Sequence, residues 1–431
     1  MKQPTSIPAG AARMALLLGL LALPAAAETV AYVGATVHPV SGPPIDGGVM
    51  VVEDGVIRAV GAGLAVPEGA EVVELNGLHL YPGFVHPLSA LGLIEIGSVR
   101  GTRDLGEVGD NNAALRAEVA WNADSLLLPV AAAGGVLTAH VAPQGGTFAG
   151  SSAVMRLDGW NWHDMTLAAP AGMHLAYPQL LSGGDDEDFE EKTKRALETI
   201  NATFDDARAY RKAKDAGTPV DRDADLEALL PVLDGSLPLY VHAEEKSQIE
   251  SALDWAAEQG FDNLVLVTTS DARYVAERLA KENVPVVLNG VLRLPRRRWE
   301  PYDAAYVAAR VLHEAGVRFA IGDGDGGFAA ANARNLPFHA AMAAAFGLPE
   351  DVALRSVTLT AAEILGVADR VGSLDPGKEA TFFAATGDPL EITTRIERTW
   401  IRGRELDPED NHQWRLYQRY NARPRAEEPP P

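Results

Sequence analysis

Asn263-Leu264-Val265-Leu266-Val267-Thr268, then the amphipathic stretch Ala272 to Glu282, then Val284-Pro285-Val286-Val287-Leu288: this passage sets the fold class. A short run of Val and Leu with no polar alternation is the pattern of a strand buried on both faces. A helical segment between two such runs is the crossover that joins parallel strands. The unit recurs on both sides. Val136 to Val141, Leu237 to Val241 and Val317 to Ile321 are further apolar runs, and Phe189 to Ala213, Ser247 to Gln259 and Asp303 to Ala315 are further amphipathic stretches. Their alternation over residues 82–370 predicts an α/β protein with a parallel sheet sheathed in helices, of a length that suits a (β/α)8 barrel.

The two ends have a different texture. In Thr29 to Leu80, short β-rich runs such as Val30-Ala31-Tyr32-Val33 and Gly48 to Val52 dominate, and Asp54-Gly55 separates Met50-Val51-Val52 from Val56-Ile57 as a hairpin turn. Near the other end, Gly372 to Ala380 leads into a strand at Thr381 to Ala384, and Arg395 to Arg402 is another. Residues 28–81 and 371–420 are therefore expected to build one small β-sandwich domain from both chain ends, beside the barrel. The Pro-rich, charged residues 421–431 are expected to form a disordered tail.

The first 27 residues have the form of a secretion leader. Lys2 and Arg13 supply positive charge, Met14 to Leu23 a short apolar run, and Ala25-Ala26-Ala27 the small residues a signal peptidase requires. This predicts a periplasmic or secreted protein, with no membrane anchor. No cysteine is present, which excludes disulfides, thiolate ligands and a lipid-modified N-terminus. The formal charge is −22, and loss of the two cations Lys2 and Arg13 with the leader takes it to −24. Such a surface repels nucleic acid and anionic membranes. The acidic run Asp185 to Asp188 with Glu190-Glu191 is most simply the solvated start of a helix.

Four stretches resemble the amidohydrolase superfamily, in particular its imidazolonepropionase-like branch. They are the hairpin Val52-Glu53-Asp54-Gly55-Val56-Ile57, the entry into the first barrel strand at Tyr81-Pro82-Gly83-Phe84-Val85, Thr358-Leu359-Thr360 with Ala362 and Ile364-Leu365-Gly366, and the re-entry signature Gly372 to Ala380. The resemblance implies one or two divalent metals at the mouth of the barrel. The ligands would be two histidines on the first strand, a bridging Lys or Glu on the fourth, single histidines on the fifth and sixth, and an aspartate after the eighth that also shuttles protons.

Laid on Gly83 to Leu93, the pattern puts Leu88 and Ala90 at the histidine pair, and neither can bind a metal. His86 precedes them where the family has an aspartate. The apolar strand ending in His242 offers the fifth-strand ligand, or a buried histidine that hydrogen-bonds a neighbour. The sixth strand ends in Thr268-Thr269-Ser270, without a histidine, and no bridging Lys stands out. Asp323 or Asp325 is the eighth-strand aspartate, with a Gly-rich turn as the plain alternative. His140 and His174 end or follow strands and are further candidate ligands, or satisfied core histidines. Gln144, in the Gly-rich loop Ala142 to Thr147, and Arg334 and Asn335 are candidate substrate-binding residues, while Arg296-Arg297-Arg298 either attracts an anionic substrate or is a solvated loop.

Two functions follow. One is hydrolysis of a carbon–nitrogen bond, other than an ordinary peptide bond, in a small molecule. It would use one zinc-like divalent metal held by His242, an aspartate and one of His86, His140 or His174. The other is a barrel without metal or catalysis that binds a small molecule or pairs with an active relative; a homo-oligomer is compatible with either reading.

Overall fold

The computed structural model describes residues 28–180, 188–324 and 326–423. The leader, most of the acidic run before Phe189, Asp325 and the tail from residue 424 lie outside the described residues.

The two β-rich ends share one sheet. Its strands are β1 (Thr29–Val37), β2 (Ile45–Glu53), β3 (Val56–Ala62), β4 (Glu71–Glu74) and β5 (His79–Pro82) from the N-terminal side. The C-terminal side adds β14 (Phe382–Ala385), β15 (Ile396–Ile401) and β16 (Arg404–Glu405). The order is β16-β15-β14-β5-β1-β2-β3, with β4 also on β1, so β14 against β5 is the seam between the chain ends. Asp54 and Gly55 both take positive φ, 50° and 76°, in the β2–β3 turn, as an Asp-Gly hairpin requires. Tyr32, Phe382 and Trp400 pack edge-on and stacked in this domain's own core.

Between the ends lies the second sheet: β6 (Phe84–Ser89), β7 (Val136–Val141), β8 (Phe148–Arg156), β9 (Thr166–Ala176), β10 (Leu239–His242), β11 (Leu264–Thr268), β12 (Val286–Asn289) and β13 (Phe319–Gly322). They are bonded in sequence order, and β13 returns to pack on β6, nearly closing a barrel. Helices Phe189–Asp215 and Lys246–Gln259 stand outside it, close to where the sequence places them.

One departure concerns the third strand. β8 runs antiparallel to both β7 and β9, while the remaining paired strands are parallel. The physical reason lies in the connections. Six residues (142–147) join β7 to β8, too few for the dozen or more that a parallel crossover needs.

The barrel interior is filled by Val85, Leu88, Val154, Tyr240, Val265, Val267, Val287 and Ala320. Helix Leu359–Ile364 plugs the end where the strands begin, adding Ala361, Ala362 and Ile364 to that cluster, and the preceding Val357 carbonyl accepts from Val85 N–H. A buried ion pair ties the domains together. Arg156 on β8 makes a two-pronged bond to Glu379 in the re-entry signature, at 2.8 and 2.7 Å, and Arg370 adds a third contact to the same carboxylate.

Candidate functional site

Period-two alternation sends every second residue of a barrel strand into the interior, and the strand C-termini define the mouth. His174 sits beside Tyr240 in the β9–β10 register, and Ala176 beside His242. His174 Nδ1 faces His242 Nε2 at 2.9 Å, so one of these nitrogens carries the proton and the other accepts it. Their neighbour Tyr240 lies flat against His174, with ring centroids 4.8 Å apart and planes within 8°. Gly172 makes room for the Tyr240 ring: a Cβ there would lie 2.3 Å from it.

His140, on β7, is fully buried and satisfied at both nitrogens. Nδ1 donates to the Pro87 carbonyl at 2.7 Å, because a carbonyl can only accept. In the neutral ring Nε2 accepts from the Ser152 hydroxyl, also at 2.7 Å, and the Gly172 carbonyl, 3.1 Å from that oxygen, is the alternative acceptor of its proton. Burial pushes this histidine down to about 4, although the bond to Pro87 works the other way. Burial likewise holds His174 well below its ordinary value, helped by His242 and His140 nearby. Both rings are neutral at physiological pH.

His86 and Asp323 form the second pair. They arrive from β6 and from the end of β13, and Nε2 lies 2.7 Å from Oδ1, with both side chains almost wholly buried. A carboxylate accepts, so Nε2 is the protonated nitrogen, and in the neutral ring Nδ1 carries the lone pair. Leu88 and Ala90, at the positions of the family's histidine pair, are buried hydrocarbon at 1% and 0% exposure.

Ten buried side-chain polar atoms lack a protein partner among the described residues, and six of them cluster by topology. His86 Nδ1, His174 Nε2, Tyr240 OH, Thr268 Oγ1, Asn289 Oδ1 and Asp323 Oδ2 lie on or just beyond β6, β9, β10, β11, β12 and β13. Buried polar groups are nearly always paired, with protein, water or ligand. Six orphans on neighbouring strands mark a place built to hold something polar. Four of the six lie near or beyond the C-terminal ends of their strands (His174, Thr268, Asn289 and Asp323), while His86 and Tyr240 sit nearer the strand starts. Among the described residues no group of three or more His, Asp or Glu side chains comes together as a metal site.

Of the sequence candidates, His86, His140, His174, His242 and Asp323 are brought to the barrel's interior and mouth. Gln144 lies in the β7–β8 loop, where its N–H donates to Leu105. Arg334 and Asn335 line a cavity against the C-terminal helix His412–Asn421 instead. Arg296 and Arg297 are tied to mouth carboxylates: Arg297 to Asp271 and Glu300 at 2.9 and 2.8 Å, Arg296 to Glu244 at 2.6 Å. Among the orphaned groups, Tyr240 and Asn289 carry no site role in the sequence pattern, and Thr268 stands there only as the non-histidine end of the sixth strand. Asn289 had a readable signal, a polar residue closing an apolar strand at its C-terminal end. Tyr240 had none, since a tyrosine inside an apolar run looks like core.

The sequence profile described as the amidohydrolase family matches residues 163–406, more than half of the chain but not β6. Amidohydrolase tasK of Hapsidospora irregularis is 23% identical over 394 residues, covering 83% of this chain and 39% of that protein. The chain thus spans about two fifths of that relative's length. The crystal structure of an amidohydrolase from Thermotoga maritima MSB8 superposes with a TM-score of 0.77 at 26% identity, covering 88% of this chain and 99% of that one. The atrazine chlorohydrolase TrzN of Arthrobacter aurescens TC1, complexed with zinc, shares the fold at a TM-score of 0.51 and 15% identity, over 91% of this chain and 99% of its own.

Proposed function

The chain belongs to the amidohydrolase family, and from that premise we propose that it is an exported hydrolase of a carbon–nitrogen bond, other than an ordinary peptide bond, in a small molecule, in which the family's two-metal site is lost or altered. The observation that carries the reading is the set of six orphaned polar atoms on six barrel strands, four of them towards the strand C-termini, the face on which barrel enzymes place their chemistry. The family typically depends on metal, but its two-metal ligand set does not fit the residues present. Leu88 and Ala90 offer no donor, and the four remaining side chains are taken up in the pairs His86–Asp323 and His174–His242.

What this chain's own residues supply is proton handling and orientation. Asp323 fixes the His86 tautomer, leaving Nδ1 as an unpaired base, the arrangement a water-activating imidazole needs. His174, neutral through burial, and the Tyr240 hydroxyl offer hydrogen bonds to a carbonyl or its developing oxyanion. Export rests on the leader-like residues 1–27.

The second reading, a non-catalytic barrel that binds a small molecule or pairs with an active relative, is favoured by one observation: hydrocarbon at both first-strand ligand positions. The test is turnover of a panel of N-acyl amino acids and cyclic amides, with dipeptides as the peptide-bond control, followed by chromatography. Hydrolysis that falls by about 10²-fold or more in His86→Ala and Asp323→Asn supports the hydrolase. Absence of turnover above background, with panel compounds still bound, overturns it in favour of the second reading.

A further inference from the structure

A cavity of about 560 Å³ lies where three parts of the molecule meet, and none of the barrel histidines lines it. Its walls come from the end of helix Leu127–Ala133, the start of helix Leu336–Ala345, the β14–β15 side of the composite domain and the C-terminal helix His412–Asn421. The volume falls within the range of small-molecule sites, and junctions between structural units are where such sites commonly form.

The lining has a distinctive chemistry. Phe338, Trp414 and Tyr417 supply aromatic surface, with the Trp414 and Tyr417 rings stacked at 5.8 Å. Those two rings remain 42% and 57% exposed, so the wall they form is not covered by the protein itself. Arg334 is the single charged residue among the lining residues described, in a chain with 59 acidic residues against 37 basic ones. Its guanidinium donates to the Gln413 side-chain oxygen at 2.6 Å, a neutral partner, and no carboxylate lines the cavity among the described residues. Among the described residues no acid pairs with Arg334. A guanidinium offers more donors than one amide oxygen can use and matches a carboxylate in a two-pronged geometry.

We propose that this cavity is a binding site for a small amphipathic carboxylate, with the apolar body laid against Trp414, Tyr417 and Phe338 and the carboxylate on Arg334 and the neighbouring Asn335 amide. The site is separate from the proposed hydrolytic centre and does not depend on that reading. Charge complementarity selects the acid: an amide or ester of the same body gains the aromatic contacts and forfeits the guanidinium.

The experiment is calorimetric titration of the full chain with 3-phenylpropanoate and, in parallel, 3-phenylpropanamide. The acid is expected to bind with a dissociation constant at or below about 1 mM, at least tenfold tighter than the amide. Arg334→Gln is expected to erase that preference while leaving amide binding in place, and Trp414→Leu to weaken both. His242→Ala is expected to leave acid binding unchanged, which separates this site from the barrel mouth. Equal affinity for acid and amide in the unaltered protein, no binding of either, or loss of acid binding in His242→Ala with Arg334→Gln unaffected would each overturn the proposal. The acid–amide comparison needs no variant, so it decides the matter even if Arg334→Gln does not fold.

Discussion

Glu379→Ala should destabilise the protein by about 3–5 kcal/mol, the range for leaving one member of a buried pair without its partner. The structure shows which partner sets the cost. Arg370 is 40% exposed at its side chain and can turn to water, whereas Arg156 is 5% exposed. After the substitution Arg156 retains only its Nη1 bonds to the Asp164 and Thr166 carbonyls, at 3.3 and 2.9 Å, and loses both contacts to the carboxylate. The measurement is denaturant unfolding followed by tryptophan fluorescence at pH 7. Arg156→Met combined with Glu379→Leu should recover most of the loss, since hydrocarbon of similar volume replaces a buried pair at little cost. The pH dependence has a definite sign. Burial opposes ionisation of Glu379, but bonds from Arg156 and Arg370 outweigh it and hold the carboxyl below its ordinary value. Its contribution is therefore full above the unfolded-state value near ~4.3 and is lost as pH falls through the folded one. The gap between wild type and Glu379→Ala should narrow below about pH 4. A deficit under about 1 kcal/mol at pH 7, or a gap that widens in acid, refutes the reasoning.

His140, buried and pushed down to about 4, resists a proton that the unfolded chain accepts at about 6.5. Stability should be full above that value and decline as pH falls from 6.5 towards 4, by about 3 kcal/mol from this residue alone. Thermal melts of wild type and His140→Phe across that window measure it, and equal slopes would show that His140 is not the buried neutral base described. Gly172→Ala drives a methyl to within 2.3 Å of the Tyr240 ring. It should cost about 1–3 kcal/mol through overpacking and disturb the His174–Tyr240 stack, visible as a change in near-ultraviolet circular dichroism; an unchanged spectrum and melting point would count against the stack as a fixed element. Gly55→Ala places a Cβ 2.4 Å from the Arg402 carbonyl oxygen at a positive φ, so it should lower the melting temperature, and a neutral outcome would mean that the β2–β3 turn is free to move.

Much of the candidate site was legible from residue type and position. His242 closes an apolar strand, Asp323 follows another, and the loss of the first-strand pair at Leu88 and Ala90 needs no coordinates. Other assignments were out of reach for a physical reason. That His86 belongs to Asp323, 237 residues away, and His174 to His242, 68 away, depends on strand order and register, which local pattern does not encode. Arg334 and Asn335 follow the eighth strand in sequence, yet the chain turns them towards the C-terminal helix.

The sequence by itself determined the fold class and its two-ended domain. Burial of apolar runs, helix periodicity and an Asp-Gly turn are short-range properties, each expressed within about ten residues. Only the tertiary structure decided which polar atoms were left without partners. Satisfaction of a buried hydrogen-bonding group is a question about every neighbour in space, and at this barrel mouth those neighbours come from six strands spread over nearly 240 residues, from His86 to Asp323.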